Sequence, residues 1–320
     1  MKVLVTGGAG FIGSHIVDRL ILRGNDVIIY DNLSSGFRRH LEPALKTGKA
    51  VLVEGDILNG RKLVKSMKDV STVFHLAANA DVRGGQADTG IDLRQNLLGT
   101  RSVLESMRTT GASEIVFTSS ATVYGEPDRF PTPEDYAPLQ TSLYGASKLG
   151  AEAIIQAYGE YFGIRSCVFR FVSWLGERYS HGVVYDFINK LRANPKELEI
   201  LGDGNQKKSY LHVDDGTKGI FLALDKISGL KNVINLGHVD YIDVKSVARI
   251  VSEEMGLKKV VYRFLGGSRG WLGDSPLVHL DLSKIQQLGF YPNVGIEEGL
   301  RRTARYLLDN IWLLDMRKMK

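Results

Sequence analysis

Val3-Leu4-Val5-Thr6-Gly7-Gly8-Ala9-Gly10-Phe11-Ile12-Gly13 is the stretch whose reading decides the fold class. A short β-branched run ends at Thr6, Gly7, Gly10 and Gly13 recur at every third position, and a helical pattern opens at Phe11. Glycines in such a place permit a tight turn and a close approach of backbone to a pyrophosphate. The helix that follows offers unpaired N–H groups and the positive end of its dipole. Strand, glycine loop and helix in this order form a dinucleotide-binding fingerprint. Asp31 follows a second strand, where the fingerprint wants an acid for the ribose hydroxyls. A carboxylate there repels the extra phosphate of NADP and favours NAD, although Arg38 and Arg39 lie close enough to accommodate a phosphate. A turn at Asp31-Asn32 is the alternative. Asp56, in Gly55-Asp56-Ile57 after a third strand, reads either as an adenine contact or as a helix N-cap.

The same alternation continues outward. Strand-like runs at 3–6, 27–30, 51–54, 72–76, 115–119 and 166–171 alternate with helical spacing over 11–24, 37–47, 60–68, 93–109 and 144–162. Short apolar strands separated by amphipathic helices imply βαβ units with right-handed crossovers. The expected fold is α/β, a doubly wound parallel Rossmann sheet with a smaller α/β substrate-binding domain. The expected domains are 1–172 and 173–320, with later segments returning to the first. Past residue 172, Pro195, Gly202-Asp203-Gly204-Asn205 and Gly266-Gly267 break the pattern into short pieces.

Composition excludes several classes. Lys and Arg number 41 against 36 Asp and Glu, a formal excess of five spread among the acids, so no nucleic-acid partner is expected. No apolar run approaches the ~18 residues of a membrane helix, and the N-terminal apolar stretch is too short for a signal peptide. The single cysteine, Cys167, excludes an intrachain disulfide and reads as a core residue of the sixth strand. It fits a reducing compartment, and a cytoplasmic protein is expected. His15, His40, His75, His181, His212, His238 and His279 show no ligand spacing, so no metal is expected; His75 and His212 read as packed and hydrogen-bonded.

Tyr144 and Lys148 form Y-x-x-x-K at the head of a helix, and i, i+4 spacing puts them on one face. An ammonium fixed near a phenol lowers the phenol's pKa and makes it a usable general base. An exposed helix pair is the alternative. Upstream, Thr118-Ser119-Ser120-Ala121-Thr122-Val123-Tyr124-Gly125 is a strand end rich in hydroxyls, from which Ser120 can share a hydrogen bond with Tyr144 and a substrate hydroxyl.

With these motifs in order the chain resembles the extended short-chain dehydrogenases/reductases, in their nucleotide-sugar epimerase/dehydratase group. The resemblance runs the length of the chain and rests on TGGAGFIGSH (6–15), YDNLSSG (30–36), GDI (55–57), FHLAA (74–78), NLLGT (96–100), SSATVYG (119–125), YGASK (144–148), GDGNQKKSYLHVDD (202–215) and RGWLGD (269–274). It implies tightly held NAD and epimerisation at C4 of a UDP-hexose, UDP-galactose or UDP-glucose, through a transient 4-keto sugar. Tyr144 is implied as the base, Ser120 as the holder of the sugar hydroxyl, and Lys148 as the partner of Tyr144 and of the cofactor ribose. Gly7, Gly10, Phe11, Ile12 and Gly13 match the pyrophosphate loop, and Asp31, Asn32, Ser35 and Gly36 the adenosine-ribose loop. Asp56 and Ile57 follow, Leu76, Ala77 and Ala78 match the strip along the cofactor, and Asn96 the buried Asn beside it. On the substrate side, Tyr210, Arg269 and Asp274 are carried over.

Departures from the family pattern fall on the substrate side. Ser173 stands where an Asn commonly contacts the diphosphate, and Lys208 replaces an Arg, keeping the charge but losing the fork. Ala121 and Thr122 replace the acidic pair of the dehydratases, and related decarboxylases carry Glu at the second position, so elimination and decarboxylation are disfavoured. Val278 aligns with the pocket gatekeeper, and its small size admits a 2-N-acetyl sugar. The alternatives are another nucleotide sugar, a UDP-N-acetylhexosamine or UDP-uronic acid, and a non-catalytic NAD-binding scaffold. The resemblance also implies a homodimer through the helices of 93–109 and 144–162, with Leu97, Leu104, Ile154 and Ala157 as outer positions.

Overall fold

A computed structural model describes residues 1–316, in two compact units. The first comprises 1–124, 140–170 and 220–234; the second comprises 125–139, 171–219 and the chain from 235 onward. The last four residues of the expected second domain, 317–320, lie outside the described residues.

In the first unit β1 (Lys2–Thr6), α1 (Phe11–Leu22), β2 (Asp26–Asp31), α2 (Glu42–Lys46), β3 (Ala50–Glu54), α3 (Gly60–Ser66), β4 (Thr72–His75), α4 (Gly99–Thr110), β5 (Glu114–Thr118), α5 (Leu143–Phe162) and β6 (Arg165–Phe171) follow one another. Their strands pair in parallel in the order β6-β5-β4-β1-β2-β3. This is the expected doubly wound sheet, and its strand order reverses between β1 and β4. In such sheets the crevice at that reversal, beyond the strands' carboxyl ends, is where ligands bind. Leu4, Val73, Ile115, Phe117 and Val168 of the strands form one core with Val103, Leu104, Met107, Ala151 and Ile155 of the helices.

Three local features differ from expectation. Over 37–47 there is a 3-10 turn, Arg38–Leu41, before α2, because Pro43 sits at the start of the α-helix, where its missing N–H is harmless. The 93–109 helix opens as a π-helical segment, Leu93–Leu98. Leu104 is fully buried in the core, so it is not an outer position; α4 turns Val103, Leu104 and Met107 inward together, while Ala157 is exposed.

The second unit contains β7 (Ser173–Leu175), α6 (Val183–Ala193), β8 (Glu197–Ile200), β9 (Lys207–Lys208) and β10 (Tyr210–His212). After α7 (Val213–Lys226) the chain adds β11 (Lys231–Leu236), a seventh strand at the edge of the main sheet beside β6. Then come β12 (Ile242–Asp243), α8 (Val244–Glu254), β13 (Val261–Phe264), β14 (Leu277–Val278), α9 (Ser283–Gln287), α10 (Ile296–Asp309) and α11 (Ile311–Met316). β7 lies parallel to β10, and β9 lies between β12 and β14. Trp174 is core: it packs on Phe171 at 4.6 Å, and Gly216 lies against its ring.

Gly7 carries the close approach on which the carboxyl end of the sheet relies. Its φ is +69°, and a Cβ there would lie 2.6 Å from the backbone nitrogen of Ala77. Backbone cannot swing aside as a side-chain tip can. Gly7→Ala should therefore destabilise the protein by more than the ~1–2 kcal/mol of a left-handed residue alone, seen as a lowered urea midpoint; an unchanged midpoint would refute the packing argument.

Candidate functional site

The glycine loop stands at the carboxyl end of β1. A Cβ at Gly13 would lie 2.2 Å from the Gly7 carbonyl oxygen, so the loop closes on the first turn of α1 only with glycine there. Gly10 is the extended N-cap of α1 and provides no side-chain cap, and the first turn carries no acid. The N-terminus is thus open to an anion. Phe11 is buried and Ile12 half-buried. Asp31, at the end of β2, is buried and accepts the N–H groups of Ala9 and Leu33, each at 2.8 Å. It holds the glycine loop and the 31–36 loop together. Gly36 lies against Ala9, while Asn32 accepts the Ser34 hydroxyl at 2.7 Å and Ser35 is exposed.

Asp56 receives the Leu58 N–H at 2.9 Å and the Asn32 amide at 3.4 Å. It is not the N-cap of α3, a position taken by Asn59, whose side chain accepts the Lys62 N–H. Ile57 is buried. After β4 the strip of Leu76, Ala77 and Ala78 lies beside Gly7, and the Ala77 N–H reaches the Thr6 hydroxyl at 3.3 Å. Asn96 is buried. It accepts the Asn79 N–H at 2.8 Å and donates to the Ser147 hydroxyl at 2.9 Å.

Ser120, Tyr144 and Lys148 come together in the first unit. Ser142 caps α5 by accepting the Gly145 N–H, which starts the helix one residue before Tyr144. Tyr144 and Ser120 share a hydrogen bond. Ser120 is held by the Thr122 hydroxyl at 2.9 Å and the Thr122 N–H at 3.2 Å. The Lys148 ammonium is buried, donates to the Thr118 carbonyl at 3.0 Å and sits 4.8 Å over the Phe117 ring. Burial lowers its pKa to about 8, with Glu152 and Asp92 acting the other way. The expected lowering of the Tyr144 pKa is absent. Burial raises it to about 12, because the phenol is enclosed and the nearby Asp92 charge opposes ionisation, while the Ser120 hydrogen bond favours it.

Behind this trio lies a buried ion pair that the sequence did not announce. Arg170 on β6 donates to both oxygens of Glu152, at 2.8 Å in the shortest contact, and to the Tyr124 hydroxyl at 2.9 Å. Glu152 also accepts the Ser119 hydroxyl at 2.5 Å. Glu152 stands one turn beyond Lys148, and that i, i+4 relation was the available signal. His75 is buried between Thr6, at 2.7 Å, and Thr100, at 3.0 Å. Burial lowers its pKa to about 3 and keeps it neutral. Cys167 is buried on β6.

In the second unit, parallel pairing sets Ser173, exposed, beside Tyr210, buried, and sets Val278 beside Lys208. Lys208 donates to Asp274 at 2.7 Å. Asp274 also accepts the Gly270 N–H at 3.1 Å, which ties the 269–274 segment to β9. Arg269 pairs with Glu126. Burial and the nearby Asp274 charge push the Tyr210 phenol above its usual pKa. Glu177, His212 and Asp214 bring ligand-type atoms within 4.8 Å of one another, a cluster that sequence spacing did not suggest. Arg302 bonds both carboxylates, at 2.8 and 3.2 Å, so a cation already sits among them.

The model of the NAD dependent epimerase/dehydratase family matches residues 3–237. The chain belongs to this family. Its members' cofactor is NAD, and this chain's glycine loop and Asp31 suit that group. A Methanocaldococcus jannaschii protein provisionally named UDP-glucose 4-epimerase is 36% identical over 316 residues, 96% of this chain and 99% of that one. A crystal structure of a UDP-galactose 4-epimerase superposes with a TM-score of 0.88 at 37% identity, covering 98% of this chain and all of that one. A UDP-glucuronic acid 4-epimerase from Bacillus cereus, solved with UDP-glucuronic acid and NAD, gives 0.88 at 27% identity, covering 97% of this chain and all of that one. Among the described residues no helix is long and apolar enough to cross a membrane.

Glu152→Gln keeps the shape of the side chain but leaves Arg170 buried without its counter-charge. Loss of one partner of a buried pair costs about 3–5 kcal/mol. Urea unfolding should register a loss of that order, and a change below ~1 kcal/mol would show that the pair contributes no more than a surface one.

Proposed function

We propose that this protein interconverts UDP-galactose and UDP-glucose by epimerisation at C4. The observation that carries the reading is the grouping of half-buried Ser120 with buried Tyr144 and Lys148 in a chain with an intact glycine loop. The residues that would hold NAD are Gly7, Gly10, Phe11, Ile12 and Gly13 at the pyrophosphate, with Asp31, Asn32, Ser35 and Gly36 at the adenosine ribose. Asp56, Ile57, Leu76, Ala77, Ala78 and Asn96 would line it. The uncapped N-terminus of α1, and a loop that Gly7 and Gly13 allow to close tightly against Ala77 and the first turn of α1, fit a dinucleotide. NAD, when bound, supplies the acceptor and donor of a hydride.

The chain's own residues move the proton. Ser120 holds the sugar 4-hydroxyl, and Tyr144, as the phenolate, takes its proton as the 4-keto sugar forms and returns it to the same oxygen once the sugar has turned over. A phenol at about 12 does not ionise unaided at neutral pH, so its role depends on positive charge close by. Lys148 is one helical turn along α5 and is charged below about 8. On the second unit Lys208 and Arg269 are the cations for a diphosphate, Asp274 and Tyr210 stand beside them, and Ser173 offers a hydroxyl. Binding through the remote nucleotide leaves the sugar free to turn over between the two hydride transfers.

A second reading, a UDP-uronic acid or UDP-N-acetylhexosamine, is favoured by the similar uronic acid epimerase and by the small Val278. A homodimer through the helices of 93–109 and 144–162 belongs to the same reading, supported by exposed Ala157 and half-buried Leu97 and Ile154.

Parallel incubations with UDP-galactose, UDP-glucose, UDP-N-acetylglucosamine and UDP-glucuronic acid, with and without added NAD, test the substrate. Interconversion of the first two is expected, and turnover of only the others would transfer the assignment to them. Tyr144→Phe should lower kcat by at least ~100-fold with NAD retained; full activity would remove Tyr144 as the base. The active ammonium exists below the Lys148 pKa. Activity should therefore fall as pH rises through about 8, and a flat profile to pH 10 would exclude that dependence.

A further inference from the structure

Beside Ser120, Tyr144 and Lys148 lies a carboxylate that the proposed reaction leaves unused. Asp92 is 1% exposed and immediately precedes the π-helical segment Leu93–Leu98. Short π segments within helices occur often at functional sites. Its Oδ1 accepts the Asn79 amide at 2.9 Å and the Asn96 amide at 3.2 Å. The same Asn96 amide donates to the Ser147 hydroxyl at 2.9 Å, and that hydroxyl donates to the Tyr144 carbonyl at 2.8 Å. A continuous chain of hydrogen bonds thus joins Asp92 to the backbone of Tyr144.

The second oxygen, Oδ2, is buried with no hydrogen-bond partner among the described residues. A Cβ at Gly85 would lie 3.0 Å from it, so the 84–86 turn closes over it. A buried carboxylate oxygen without a donor destabilises the fold unless charge compensates. Burial pushes the Asp92 carboxyl above the usual carboxylate range, and the Asp81 charge adds to this; the Asn79 and Asn96 hydrogen bonds and the Lys148 ammonium act the other way. The charged groups facing Asp92 are Lys148 and, with the opposite effect, Asp81; those facing Lys148 are Asp92 and Glu152, with His75 neutral beside it.

We propose that Asp92 is a positioning residue for the Tyr144–Lys148 pair: it fixes the first turn of α5 through Asn96 and Ser147 and sets a buried carboxylate among the groups that face Lys148. The proposal rests on the catalytic reading of that pair. An asparagine at 92 keeps an acceptor for Asn79 and Asn96 and removes only the charge, which separates the electrostatic role from a structural one.

The decisive measurement is a pH titration of Lys148 by NMR, on protein labelled with 13Cε-lysine, with the signal assigned through Lys148→Arg and no substrate present. In Asp92→Asn the Lys148 midpoint should fall by about one pH unit or more, and the alkaline limb of kcat should move with it while KM stays constant. An unmoved midpoint overturns the proposal. Should Asp92→Asn not fold, the wild-type titration decides. The Lys148 signal should show a second inflection when Asp92 takes up its proton at acid pH, and a single inflection overturns the coupling. Absence of turnover with all four sugars would refute the proposed function, while the NMR midpoint would still decide the role of Asp92.

Discussion

An ammonium group enclosed by protein is the constraint around which the first unit is arranged. Water no longer solvates the Lys148 charge, and isolated charges in such surroundings are strongly disfavoured. The Thr118 carbonyl at the end of β5, the face of Phe117, Glu152 one turn along α5 and Asp92 on the adjoining helix together replace that solvation. They come from three stretches of chain, β5, α5 and the turn that leads into the π segment. β5 has to end at Thr118, α5 has to begin just before Tyr144, and the π segment has to hold Asn96 against Ser147. Small displacements of any one expose the others to an uncompensated charge.

The second unit handles its cations differently. Lys208 and Arg269 are paired in advance, with Asp274 and Glu126. The Lys208–Asp274 pair is largely buried, whereas Arg269–Glu126 is exposed to solvent and correspondingly weak. A diphosphate bound there as proposed would compete with carboxylates that already occupy these cations, and its affinity would be a difference between two sets of ionic contacts. Lysine at 208 accentuates this, since a single ammonium engaged with Asp274 lacks the spare donors of a guanidinium.

Much of the first unit was legible because its signals are local. A β-branched run, three glycines and a helix are read within eleven residues, and Ser120, Tyr144 and Lys148 within thirty. What stayed hidden was made by contacts distant in sequence. Glu152 meets Arg170 across helix and strand, and Asp92 acts on Lys148 from another helix through its charge; nothing in either local pattern marks the partner. β11 escaped because Lys231–Leu236 has only a faint alternation and follows a long detour through the second unit. The expected pKa of Tyr144 failed for a related reason. Spacing on a helix reports which side chains are neighbours, whereas enclosure, which dominates here, is set by the whole fold. Leu104 was misplaced because a helix with two apolar sides gives no sign of which side meets the sheet.

The late arrival of β11 has a consequence for synthesis. As the nascent chain leaves the ribosome, β1 to β6 emerge first, and β6 is then the open margin of an otherwise complete sheet. It stays a bare edge until roughly sixty further residues have been made and 231–236 can dock. At ~5–20 residues per second that interval lasts several seconds. Unpaired strand edges recruit other strands. The half-made protein is therefore most exposed to association with other chains after the glycine loop and Lys148 have already found their places.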